Sequence, residues 1–255
     1  MILSHRWRFI FIKGRKIAGT SVEMALSTLC GPEDVVTPIA VRDEADRFRA
    51  GGQCRNYAWN PEEEAPYRAA IARLAAGRGD GQPPLQAPRL DRSRFYNHMS
   101  LCEVVARSGQ DLRGYRVLCV ERSPYSKALS WANMQATYAA YAAGGAMRTD
   151  PARLAEWMDR VIADGTLRRA RNIDQYRWPD GRLTARVLRY GRLADELNAF
   201  LADCGAPPVT LPHAKRGLMS DTLDPRALLR PDQIAQLNEL FRAEFETFGY
   251  PMIEP

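Results

Sequence analysis

The chain has 255 residues, 45% hydrophobic and 26% charged, which supplies one substantial core and sits near the upper size of a single compact domain. It holds no run near the roughly eighteen apolar residues of a spanning helix, and the early apolar run 9–12 is too short for a signal-peptide core, so a soluble protein of the cytoplasm is expected. A net charge of +6 and a pI near 9.2 ask for an anionic partner, whether nucleic acid, an anionic membrane or a small polyanion such as a nucleotide.

Residues 7–12 read as a short buried strand, 13–20 as a glycine-containing loop, and 21–29 as a helix carrying Val22, Met24, Ala25, Leu26 and Leu29. From about 31 to 91 the pattern breaks down around Gly51-Gly52, an acidic run at 62–64 and a Gly/Pro-rich tract, which predicts a variable, partly mobile insertion in a single domain. A helix over 100–108 then leads to a strand at 115–120 and a long helix from Pro124 towards Tyr141. Beyond these come a helix over 151–164, a strand at 185–188, a helix over 193–203 closed by Gly205, and a last helix from Pro231 to Phe248. Strands alternating with helices predict an α/β layered fold, P-loop-like, with a central parallel sheet flanked by helices. No fixed-period repeat is present. The five cysteines form neither a CxxC pair nor a zinc-spaced cluster, which reads as reduced thiols.

Chemistry concentrates at two strand-to-helix junctions. The first, Gly14-Arg15-Lys16-Ile17-Ala18-Gly19-Thr20-Ser21, keeps the glycines and hydroxyl of a nucleotide-binding P-loop but has Thr20 where the lysine belongs, the lysine being displaced to Lys16. Backbone N–H groups of residues 18–21 are expected to point outward at a helix N-terminus, where the dipole favours phosphate, with Lys13, Arg15 and Lys16 adding three cations. The second junction, Cys119-Val120-Glu121-Arg122-Ser123-Pro124, sets Arg122 at the carboxyl edge of the sheet, with Ser130 eight residues on, so that a guanidinium and a hydroxyl can grip one phosphate.

Residues 11–21 resemble the 5'-phosphosulfate loop of sulfotransferases that use 3'-phosphoadenosine 5'-phosphosulfate (PAPS), whose carbohydrate-directed, sulfotransferase family 2-like branch often reads Lys-Thr-Ala-Gly-Thr-Ser. Val120-Glu121-Arg122-Ser123-Pro124-Tyr125 through Ser130 resembles the 3'-phosphate motif of the same family, with the arginine-to-serine spacing kept. Fainter echoes are Asn97-His98-Met99, Leu188-Arg189-Tyr190 before Leu193, and Phe245 to Tyr250; residues 31–91 carry none, and Ile17 and Gly191 depart from the family pattern.

The resemblance implies transfer of a sulfuryl group from PAPS to a hydroxyl of an acceptor, a carbohydrate or glycolipid, with no metal and no nucleic acid. It implies Arg15, Lys16, Ala18, Gly19, Thr20 and Ser21 around the 5' end of the nucleotide and Arg122, Ser130 and Arg216 around the 3'-phosphate. Lys16 then meets charge on the leaving oxygen. His98 is the candidate base, with Glu23, Glu33 and Glu44 in play because some relatives use glutamate. Two other readings stay open: a P-loop nucleotide or small-molecule kinase, opposed by the missing lysine at 20 and the missing aspartate at the end of the 115–120 strand, and a basic RNA-binding protein without catalysis, opposed by scattered arginines balanced by 30 acidic residues.

Overall fold

The computed structural model describes residues 1–77, 93–144, 151–212 and 224–255. In chain order the elements are β1 (Ile2–Ser4), β2 (Phe9–Phe11), α1 (Gly19–Ser27), β3 (Val35–Val36), α2 (Val41–Arg49), α3 (Glu64–Ala75), α4 (Leu101–Ser108), β4 (Arg116–Glu121), α5 (Pro124–Ala142), α6 (Pro151–Ala163), β5 (Arg186–Arg189), α7 (Leu193–Asp203), α8 (Pro231–Leu240) and α9 (Arg242–Phe248), with short 3-10 turns among them. The strands form one sheet in the order β3-β1-β2-β4-β5, flanked by helices, so the fold is α/β.

The parallel sheet expected from the sequence is corrected to a mixed one. β2 and β4 pair in parallel, but β1 runs antiparallel to both β2 and β3. The cause is local: residues 5–8 reverse the chain between β1 and β2, and so short a connection can join only antiparallel neighbours. The Asp34 carboxylate holds that reversal by accepting from the amides of His5 at 2.6 Å and Arg6 at 3.0 Å, from Gly31 at 2.8 Å and from the Ser4 hydroxyl at 3.2 Å.

The chain divides into two compact units. The first takes the described residues of Met1–Lys13, Ala18–Val120 and Gln175–Lys215, and the second those of Gly14–Ile17, Glu121–Asp174 and Arg216–Pro255. In the first, β1 and β2 are buried along their whole length, which removes the alternation that would mark a strand with one wet face. Phe200 of α7 packs edge-on against Phe9 of β2 at 6.0 Å between ring centres. Within the stretch 31–91 expected as an insertion, the described residues 31–77 form β3, α2 and α3, and Tyr67, Ala70 and Ile71 bury one face of α3. Residues 78–92, which hold most of the Gly/Pro-rich tract, lie outside the described residues.

In the second unit, α5 starts at Pro124, a position that needs no N–H donor, and buries Tyr125, Ala128, Leu129, Trp131 and Ala132. These pack with Leu154, Met158 and Val161 of α6, and with Ile234, Leu237, Phe241 and Phe245 near the end of the chain. The single last helix expected from residue 231 is two helices, because Phe241 leaves helical geometry at φ −106 while its ring stays fully buried.

Candidate anion-binding site

In the first unit, β2 and β4 lie side by side and parallel, with Ile12 N–H donating to Leu118 O at 2.9 Å, so the two strands run their carboxyl ends to the same edge of the sheet. Strands so paired are about 4.8 Å apart. Both sequence motifs therefore start from one edge, the usual place for ligands in α/β sheets.

The loop has the backbone of an anion nest. Lys16 and Ala18 take positive φ, 61 and 59, while Ile17 and Gly19 do not, and such alternation turns successive N–H groups to one side. Ala18 caps α1 without a side-chain bond, and no acidic residue occupies the first turn. The amides of Gly19 and Thr20 have no acceptor among the described residues, whereas Ser21 N–H closes a turn on Ala18 O at 3.0 Å. The four outward amides expected over 18–21 are thus corrected at Ser21. Gly19 fits this loop for a steric reason: a Cβ there would meet Lys13 Cγ at 2.6 Å.

Lys13 is also reassigned. Its ammonium is buried against Glu23 Oε2 at 2.7 Å, so it serves the core and is not one of the loop cations. Glu23 further accepts from the Met1 α-ammonium at 2.7 Å and from Thr37 Oγ1 at 3.1 Å. Burial alone would raise its pKa, but Lys13, the α-ammonium and Arg47 outweigh that and hold the carboxyl well below the usual range. A carboxylate so stabilised is a poor proton acceptor, which removes Glu23 as a base. Glu44 is buried beside Arg47 at 3.3 Å and accepts from Ile39 N–H at 2.7 Å, while Glu33 is exposed.

His98 is half-buried at φ 63 just before α4, with Nδ1 3.0 Å from Lys13 O. A carbonyl only accepts, so in the neutral ring Nδ1 carries the proton and Nε2 the lone pair. The α4 start that fixes this segment is a capping box: Ser100 accepts from Glu103 N–H at 3.3 Å, and the Glu103 carboxylate accepts from Ser100 N–H at 3.1 Å.

Residues 14–17 belong to the second unit and are held within it. Arg15 N–H donates to Asn172 Oδ1 at 2.8 Å, and Asn172 Nδ2 donates back to Arg15 O at 3.1 Å. The same Nδ2 donates to Glu121 Oε1 at 3.1 Å. Glu121 and Glu244 share the buried Lys127 ammonium at 2.9 and 2.6 Å, and Glu244 also accepts from the Asn172 and Ile173 amides. Burial opposes charge on Lys127, yet the two carboxylates keep its pKa raised, while burial and Glu121 push Glu244 upward against the pull of Lys127. Asn172 thus ties Arg15 to the residue before Arg122.

Arg15, Lys16, Ala18, Thr20, Ser21 and Ser130 are half-buried, Gly19 is buried, and Arg122 is 5% exposed. Arg122, Ser130, Arg15 and Lys16 share the second unit, whereas His98 belongs to the first. Arg216 lies outside the described residues. Sequence reasoning missed Asn172, since it sits in no motif and its partner is 157 residues away. Among the described residues no cluster of three or more His, Cys, Asp or Glu could hold a metal, and no helix is long and apolar enough to cross a membrane. Comparison of the chain with protein families, with curated proteins and with solved structures finds no match in any of the three.

Proposed function

We propose that the protein is a sulfotransferase that moves a sulfuryl group from PAPS to a hydroxyl of an acceptor, a carbohydrate or glycolipid. One observation carries the reading: Asn172 bonds both Arg15 and Glu121, so residues 14–17 of the 5' loop and the segment opening with Arg122 are tied together within the second unit although far apart in sequence. The left-handed turns at Lys16 and Ala18, and the amides of Gly19 and Thr20, which have no acceptor among the described residues, add donors suited to a terminal phosphosulfate.

In the reaction the acceptor oxygen bonds to sulfur as the bond from sulfur to the bridging phosphate oxygen breaks. The electron pair stays on the departing 3'-phosphoadenosine 5'-phosphate. Lys16 meets the charge that develops there, and His98 takes the acceptor's proton on Nε2, its Nδ1–H being directed at Lys13 O. The kinase alternative loses support because Glu121, its nearest magnesium carboxylate, is bonded within the core to Lys127 and Asn172.

Calorimetry with 3'-phosphoadenosine 5'-phosphate tests the reading. The wild type should bind, Arg122→Ala should abolish the signal, and Lys16→Ala should keep affinity within about tenfold while turnover with PAPS drops by roughly 10²–10³. Absence of binding by the wild type defeats the proposal, and full turnover by Lys16→Ala strips that residue of its role.

A further inference from the structure

We infer that Asn172 is a positioning residue that sets the backbone of the 5' loop from inside the protein. This rests on the sulfotransferase reading for its ligand but on the second unit alone for its geometry. The Asn172 side chain imitates the edge of a strand, giving and taking one hydrogen bond at Arg15. It is fully buried. Its amide orientation is fixed, because Glu121 Oε1 and Arg15 O can only accept and so must both face Nδ2.

Its own backbone is also clamped, with N–H donating to Glu244. Glu244 and Glu121 are in turn joined through Lys127, so the loop rests on a closed set of buried polar groups in which every link is a charged or amide hydrogen bond. Such sets stay rigid when every member is satisfied. The residue held, Arg15, immediately precedes Lys16, the first left-handed residue of the nest. Moving Arg15 therefore turns the Lys16 amide and its side chain away from the terminal phosphate, while Glu121, the residue before Arg122, stays held by the Lys127 ammonium at 2.9 Å. The role assigned to Asn172 is selective for the 5' end of the nucleotide.

Asn172→Asp tests it with no change in size, replacing the donor that faces Glu121 and Arg15 O by an acceptor. Affinity for 3'-phosphoadenosine 5'-phosphate should fall roughly 10–100-fold, while affinity for adenosine 3'-phosphate, which lacks the 5' group, stays within about threefold. A parallel loss for both nucleotides, or no loss for either, overturns the proposal. Should the aspartate variant fail to fold, hydrogen exchange in the ligand-free wild type decides: the Arg15 amide should exchange at least about tenfold more slowly than the Thr20 amide, and equal rates overturn the role. A wild type that binds neither nucleotide sinks the sulfotransferase reading, and the Asn172 role is then judged by that exchange measurement.

Discussion

Gly19 stands over the aliphatic stem of Lys13, and Lys13 reaches past it to Glu23. Gly19→Ala therefore displaces a buried ion pair and should destabilise the protein by about 1–3 kcal/mol, read as a lowered urea midpoint with an unchanged slope. A loop leading into a helix was legible here from its glycines, but the helix starts at Gly19, two residues before the Ser21 expected. That Lys13 turns inward was not legible, because it depends on Glu23, which lies in the following helix and faces the core. Arg122 was read correctly as the opening of a strand-to-helix junction, but its near-complete burial depends on packing that spacing does not record. Asn172 marks the limit, since a side chain acting as a strand edge leaves no periodic trace.

Elements with chemical punctuation were the readable ones. Pro124 and Pro231 open α5 and α8, and Gly109 and Gly205 follow α4 and α7 in left-handed conformation at φ 68 and 70. α4 also has its capping box, so Ser100→Ala should cost about 0.5–2 kcal/mol in a urea titration, and it should loosen the backbone at His98 as faster amide exchange there. The unreadable elements lack such marks. β1 has three residues and β3 two, too few for any alternation. α2 buries Glu44 and Arg47 instead of an apolar stripe, so its inward face looked like a solvated one. The break at Phe241 was hidden because apolar residues continue at helical spacing on both sides of it, Ile234 and Leu237 before and Phe245 and Phe248 after.

At the scale of the molecule, each unit has a buried charged centre of its own. In the first, Glu23 is surrounded by Lys13, the Met1 ammonium and Arg47; in the second, Lys127 lies between Glu121 and Glu244. The Glu23 carboxyl is held below its ordinary value of 4.5, so its contribution is present above that pH and is lost as pH falls beneath it. Glu23→Gln should destabilise the protein by about 3–5 kcal/mol at neutral pH, and the gap between variant and wild type should close as the pH drops below about 4.5. Urea titrations of both proteins across that range measure the closure; a constant gap removes Glu23 from the pH dependence.

The interleaving of the two units along the chain bears on how the protein is made. Asn172 leaves the ribosome 157 residues after Arg15, and Glu244 72 residues after Asn172. At ~5–20 residues per second the anchor of the loop arrives on the order of ten seconds after the loop itself. Through most of its synthesis the nascent polypeptide thus carries residues 14–17 without the partners that give them their shape, and a fragment truncated ahead of Asn172 keeps that stretch unanchored for good.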